Sequence, residues 1–316
     1  MQKPIVSVCM ITYGHEKYIR EAIEGVLMQE CDFEIELILA NDCSPDKTDE
    51  IIQNILIDNP IKLKIKYFNN EKNLGMTPNF VFALQQATGK YIALCEGDDY
   101  WTDPLKLQKQ VGFLEANKQA AGCFHHASLV NENDVIINEI YNPQVSNREC
   151  YNQEECLTIL GSSYATCSLV FRSEVLEDLP KVLTLQFCDE LLDIVIAEKG
   201  LLCFLNFKGA CYRSHPTGVW TGRQEAKFNL IMYKRIEVLY KVPVYKKKYG
   251  SYLKTKFLSL SKGFLFSNSI TRKVRLSYFF ATLKFLNYSK KETYSFLFTF
   301  VINIIQIKKI FKKQYA

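Results

Sequence analysis

The stretch "EGDDYW", residues 96–101, sets Glu96, Asp98 and Asp99 within four positions, directly after the apolar run Tyr91-Ile92-Ala93-Leu94-Cys95. Like charges this close repel one another, and desolvation at the end of a buried strand sharpens the repulsion, so the cluster needs a cation. A divalent metal suits it, because carboxylates hold Mg²⁺ or Mn²⁺ while leaving coordination positions open for phosphate oxygens. The competing reading is a turn and a helix start, with Asp103 and Pro104 opening "PLKLQKQVGFLE". A turn gives no reason for Glu96.

The elements that must position these carboxylates alternate strand and helix signals over the first 120 residues, the pattern of a parallel sheet with crossover helices. Strands are expected at 5–12, 35–40, 63–68 and 90–95. "LKIKYF" alternates lysine with apolar residues and reads as an edge strand, whereas the other three are apolar throughout and read as central. Apolar spacing predicts a helix near 15–29. A second helix is expected from "SPDKTDE", with Ser44 as N-cap, and a third from "TPNF" (77–80) to Gly89. The carboxyl ends of the four strands carry Thr12-Tyr13, Asn41-Asp42, Asn69-Asn70 and Glu96 to Asp99, and open parallel sheets bind ligands at that edge. Neither a Walker-type phosphate loop nor a dinucleotide fingerprint is present, so a diphosphate bound there needs a metal to meet its charge. Further on, the pattern predicts mixed strands near 121–140, a helix near 152–160 and a strand in "YATCSLVFR". A helix is expected at 188–200, and "LLCFLNFKGACYRSH" reads as a hairpin or paired strands.

At 316 residues and 48% hydrophobic content, the chain has ample material for a core. Its eleven cysteines are odd in number, lack paired spacing and mostly sit in apolar runs, so they read as small buried hydrophobes in a reducing compartment. "MQKPIVSVCMIT" runs from one lysine and a proline straight into a strand, which predicts no leader and a cytoplasmic location. From Lys246 onward 16 Lys or Arg accompany a single acidic residue, Glu292, whereas the first 245 residues hold 23 basic and 33 acidic ones. An acidic body thus carries a basic tail.

"PIVSVCMITYGHEKYIREAIEGVLMQ", "LILANDCSPDKTDEII", "NLGMTPNFVFALQQATGKYIALCEGDDYWTDPLKLQKQ" and "DELLDIVIAEKG" followed by "YRSHPTGVW" resemble the family 2 glycosyltransferases of GT-A fold, over residues 4–222. The resemblance implies an α/β catalytic domain (1–240, with a nucleotide-binding half 1–120 and an acceptor half 121–240) and transfer of a sugar from a nucleoside diphosphate donor with inversion. By the same resemblance Thr12, Tyr13 and Glu16 line the nucleotide base, and Asn41 and Asp42 stand where the family has paired acids that contact base or ribose. Asn73 and Gly75 lie in the loop closing over the nucleoside. Asp98 falls to the ribose side and Asp99 to the metal, with Asp98, Glu96 and His215 as further candidate ligands of Mn²⁺ or Mg²⁺. His215 alternatively hydrogen-bonds the diphosphate or is structural, and Arg213 serves the phosphates or a carboxylate. Asp189 matches the family's acid at a helix start and is the expected general base, Glu190 its rival; both alternatively cap the helix.

His125-His126 lack zinc-site spacing and read as packing or surface residues, while Trp101 and Trp220 read as packing residues, with stacking on a sugar ring the alternative. In the region 241–316, "RKVRLSYFFATLKFLNY" (272–288) and the 14-residue apolar run "TYSFLFTFVINIIQ" (293–306) predict basic amphipathic helices on an anionic membrane surface, the run being too short to span. The alternative is that they pack on the catalytic domain. No nucleic-acid motif accompanies the basic residues. The implied partners are a nucleotide-sugar donor and a glycan or lipid-linked acceptor, with the protein peripheral at the inner face of a bacterial membrane. The rival classes are a nucleotidyltransferase, which needs a glycine-rich phosphate loop, and a non-catalytic sugar-nucleotide-binding protein, which has no use for an acid at 189.

Overall fold

The computed structural model describes residues 5–58, 63–160, 164–177, 189–218 and 236–266. Strands β1 (Ile5–Thr12), β2 (Glu34–Asn41), β3 (Lys64–Asn69) and β4 (Tyr91–Leu94) run parallel in the order β3-β2-β1-β4. Helices α1 (Ile19–Leu27), α2 (Thr48–Asp58) and α3 (Met76–Gln85) are their crossovers. The chain continues through β5 (Tyr100–Trp101), α4 (Lys106–Ala116), β6 (Ala120–Asn131), β7 (Ile136–Asn138), β8 (Cys150–Tyr151), β9 (Val170–Arg172), α5 (Asp189–Lys199) and β10 (Leu201–Ser214). These strands extend the same sheet as β4-β9-β6-β10-β5, with β9 antiparallel to β4 and β6, and β10 parallel to β6. Two side pairings complete it, β7 on β6 and β8 on β10.

The apolar runs of β1, β2 and β4 are buried because helices cover both faces of a parallel sheet, and β3, with its alternating lysines, stands at the edge as expected. Helix α1 sinks Ile19, Ala22, Ile23 and Val26 at helical spacing, the larger of them contributing roughly 1.5–3 kcal/mol each on burial. Gly25 shares that face because a Cβ there would stand 2.8 Å from the backbone nitrogen of Trp101, so β5 packs directly on the helix. Trp101 is buried, its indole N–H donating to the carbonyl of Cys167, and His125 and His126 are buried in β6.

The four expected strands agree with the observed ones to within one residue at each end. Other elements differ. Helix α2 starts at Thr48, where Asp46 accepts from the Thr48 N–H and hydroxyl, and Ser44 is used elsewhere. "YATCSLVFR" contributes a strand only at Val170–Arg172, after a short helical turn at Thr166–Ser168. The hairpin or paired strands expected at 201–215 are one 14-residue strand, whose irregular register around Lys208 mimics a turn in the sequence. Cys150 and Cys203 are joined by a disulfide, against the expectation of unpaired thiols. Their 53-residue separation hides a direct pairing across antiparallel β8 and β10.

The chain forms two compact units, Met1–His215 and Pro216–Ala316. In the second, α6 (Pro243–Phe266) buries Tyr245, Tyr249, Leu253 and Phe257 at four-residue intervals and leaves Lys246, Lys247, Lys248 and Lys256 exposed. Among the described residues no helix is long and apolar enough to cross a membrane. The segments 272–288 and 293–306 lie outside the described residues.

At the amino-terminal edge of the sheet Glu36 is buried, accepting from the Ser7 hydroxyl (2.6 Å) and from the Thr88 N–H (2.9 Å) and hydroxyl (2.6 Å), with Lys66 Nζ 2.9 Å away. Burial works to raise its carboxyl, but the hydrogen bonds from Ser7, Thr88 and Lys66 outweigh it and hold it at about 2, against an ordinary 4.5. Above pH 4.5 the group is ionised folded or unfolded and its contribution is complete; between 4.5 and about 2 the unfolded chain takes up the proton first and the contribution is lost. Glu36→Gln is therefore expected to lower stability near neutral pH by on the order of 3 kcal/mol. Its deficit in Tm relative to wild type should shrink as pH falls toward 2; a pH-independent deficit in thermal denaturation contradicts this account.

Candidate active site

The carboxyl edge of the parallel strands is built from three interlocked loops. After β1, Thr12 is buried and Tyr13 is 48% exposed. Gly14 turns with φ 72°, and the next N–H groups are tied to the start of α2: Gly14 to Ser44 Oγ (3.0 Å), His15 to Thr48 Oγ1 (2.9 Å) and Glu16 to Asp46 Oδ2 (3.0 Å). Glu16 in turn accepts from the Lys47 N–H at 3.0 Å. Its side chain is thus part of the lacing between loops.

After β2, Asn41 is fully buried, donating from Nδ2 to the Tyr67 hydroxyl (3.1 Å) and accepting from the Ser44 hydroxyl (2.5 Å). Asp42 accepts from Asn70 Nδ2 (2.9 Å) and from the N–H groups of Leu74 (2.8 Å) and Gly75 (2.8 Å). That carboxylate shapes the loop holding Asn73, which is exposed, and Gly75, whose φ of 89° at the head of α3 favours glycine.

After β4, the Gly97 N–H donates to the Ile11 carbonyl at 2.9 Å, drawing the acidic loop onto the end of β1. A Cβ at Gly97 would stand 2.7 Å from Thr12 Oγ1, so only glycine allows the approach. Asp98 and Asp99 then face different surroundings. Asp98 Oδ2 lies 3.0 Å from His215 Nε2 and 3.7 Å from His15 Nε2, and one ligand atom from each of the three residues falls within 4.8 Å of the others. Burial works to raise the Asp98 carboxyl, but the facing imidazoles of His15 and His215 outweigh it and hold it below the usual range. Burial pushes His15 down despite the opposing charge of Asp98. Asp99 is buried, with Oδ1 accepting from the Arg213 N–H at 2.8 Å, and burial together with the neighbouring Asp98 raises it well above the usual range.

The site therefore brings Asp98 and His215 together, adds His15, and directs Asp99 inward. Glu96, partly buried, is not among the three. His15 follows Tyr13 by two residues in "TYGHEKY", and nothing in a 15–98–215 spacing marks a ligand set in sequence. Asp189 and Glu190 begin α5, but the question of which side chain is the base lies outside the described residues.

A mixed α/β sheet with its polar loops gathered at one edge is the GT-A architecture. S. aureus TarS 1–349 in complex with UDP-GlcNAc superposes with a TM-score of 0.61 over 90% of this chain and 81% of that one, at 16% identity. Mannosyltransferase PcManGT from Pyrobaculum calidifontis, in complex with GDP-Man and Mn²⁺, gives 0.53 over 99% and 88%, at 15% identity. In sequence, the family described as "Glycosyl transferase family 2" matches residues 7–179. The chain belongs to this family. It is 35% identical over 216 residues to the uncharacterized protein Rv1520 of Mycobacterium tuberculosis (strain ATCC 25618 / H37Rv), a match covering 68% of this chain and spanning 60% of that relative's length.

Proposed function

We propose that this chain is a metal-dependent, inverting glycosyltransferase that moves a sugar from a UDP-sugar to a glycan or lipid-linked acceptor in bacterial cell-surface polysaccharide synthesis. The observation that carries the reading is the convergence of His15, Asp98 and His215 within 4.8 Å at the ligand-binding edge of the sheet. Two imidazole nitrogens and a carboxylate oxygen, with His15 turning its Nε2 toward Asp98 Oδ2, make a metal-ligating set. Imidazole donors favour Mn²⁺ over the harder Mg²⁺. Bound there, the ion supplies charge stabilisation for the departing diphosphate.

The chain's own groups do the rest. Tyr13 presents an exposed aromatic face at the end of β1, and the loop shaped by Asp42 closes on the other side of the nucleoside. Asp189, at the head of α5, takes the proton of the acceptor hydroxyl as its oxygen bonds to the anomeric carbon and the bond to the diphosphate oxygen breaks from the opposite face. UDP as the donor nucleotide is supported by the UDP-GlcNAc complex of TarS, which shares the fold.

Two substitutions separate these roles. Asp98→Ala is expected to weaken Mn²⁺-dependent UDP binding at least ten-fold and, like chelation, to abolish turnover. Asp189→Asn should leave UDP affinity within a few-fold of wild type while lowering turnover by ~10². Full turnover in excess chelator refutes the metal, and a greater loss in Glu190→Gln moves the base by one residue.

The excess of 16 basic residues over one acidic residue from Lys246 onward supports a second element of the proposal, docking on an anionic membrane surface. In α6 the apolar stripe is already buried and the lysines are outside, so attraction there is electrostatic and screened by salt. The full chain should sediment with anionic vesicles, bind neutral ones more weakly and be partly released at high ionic strength. Indifference to vesicle charge in the same assay rejects membrane docking.

A further inference from the structure

Arg213 lies two residues before His215, at the end of β10, with its side chain only 1% exposed. Each part of it is engaged. Nε donates to the main-chain carbonyl of Asp98 at 2.9 Å. One terminal nitrogen meets the Glu21 carboxylate of α1 at 2.5 Å, and the other meets the Asp134 carboxylate in the turn between β6 and β7. The guanidinium carbon lies 4.7 Å from the centroid of the Tyr18 ring and 5.0 Å from that of Tyr100. The backbone N–H of Arg213 donates to Asp99 Oδ1. A guanidinium held by two carboxylates and a carbonyl, beside two ring faces and with its side chain 1% exposed, is turned to protein groups rather than to solvent.

That arrangement ties four separate pieces of chain to one rigid plane: α1, the β6–β7 turn, the acidic loop and the strand that delivers His215. The fork fixes direction as well as charge, which an ammonium on a flexible stem does not. Glu21 and Asp134 in turn neutralise Arg213, leaving the Asp98 carboxylate to the two histidines.

We propose that Arg213 is the positioning residue of the metal cluster: through the Asp98 carbonyl and the course of β10 it sets Asp98 and His215 at ligating distance, without touching metal or donor. The proposal rests on the metal reading of His15, Asp98 and His215 given above. Partners that orient metal ligands from outside typically govern 10- to 100-fold of metal affinity.

The test is Mn²⁺ binding, followed by electron paramagnetic resonance on the full chain without donor, for wild type, His215→Ala, Arg213→Lys and Glu21→Gln, each first shown folded by its circular dichroism. Arg213→Lys retains the charge but loses the fork and the stacking, and should bind Mn²⁺ at least ten-fold more weakly. Glu21→Gln, changed at a half-exposed partner, should fall between it and wild type. The expected kinetic signature is a raised Mn²⁺ requirement, with turnover partly restored by excess Mn²⁺. Should Arg213→Lys fail to fold, the Glu21→Gln affinity decides the matter. Wild-type Mn²⁺ affinity in a folded variant overturns the clamp alone. A wild-type chain that binds no Mn²⁺, or a His215→Ala chain that binds it equally well, overturns the metal reading and the clamp together.

Discussion

Two adjacent carboxylates at the end of a buried strand set the terms for the whole carboxyl edge. Asp98 and Asp99 cannot share one environment, since each raises the energy of ionising the other and burial adds to the cost. The chain turns at Gly97–Asp98, closed by the Asp99 N–H donating to the Glu96 carbonyl at 3.1 Å, and that turn parts them. Asp98 turns to His15 and His215, whereas Asp99 turns inward to the Arg213 N–H. The same geometry explains Gly97, without which the loop could not lie against Thr12 and Asp98 would not reach the histidines.

The mixed half of the sheet follows from this separation. A purely parallel sheet ends each strand at the same edge but brings no distant segment back across it. Here β10 runs parallel to β6 for most of its length, passes antiparallel β5, and arrives at the acidic loop with Arg213 and His215 in hand. The pairing of β5 with Ala210 and Cys211 fixes the register, so Tyr100 and Trp101 anchor the loop immediately after the carboxylates they follow. On the opposite side of β5, Gly25 lets α1 come close enough for Glu21 to reach Arg213. Close backbone approach at Gly25 and the β5–β10 pairing thus make room for the Arg213–Glu21 side-chain pair that couples helix to site.

Much of this was legible in the sequence where the signal is local. Apolar runs of β1, β2 and β4 and the alternating lysines of β3 mark central and edge strands by hydrophobicity alone, and the polar strand ends mark the ligand edge. Long-range arrangements were not legible. His15 joins Asp98 and His215 only because three loops meet in space, and Cys150 meets Cys203 only because β8 pairs with β10. The single long strand β10 escaped because its irregular register near Lys208 carries polar residues that read as a turn. Ser44 looked like a helix cap because side-chain capping chemistry is the same whichever backbone N–H it serves, and here it serves Gly14 in the loop after β1.

The amide at position 41 shows how far a family role can be carried by matching residues. An acid in its place would have to sit beside Tyr67, whose hydroxyl already donates to Asp49 at 2.5 Å. With that proton committed, the phenolic oxygen can only accept, and a carboxylate at 41 has nothing to give it. Asn41 supplies the missing donor from Nδ2 and keeps an acceptor for Ser44, which then holds Gly14 in the first loop. The buried amide thus links β2, β3 and the loop after β1 in one satisfied chain of hydrogen bonds, a task that needs both a donor and an acceptor. The adjacent Asp42, surrounded by donors only, is well served by a carboxylate. Each member of the Asn-Asp pair matches the hydrogen-bonding character of its own neighbours, so the departure from paired acids reflects the architecture of this edge before it reflects any contact with a nucleotide.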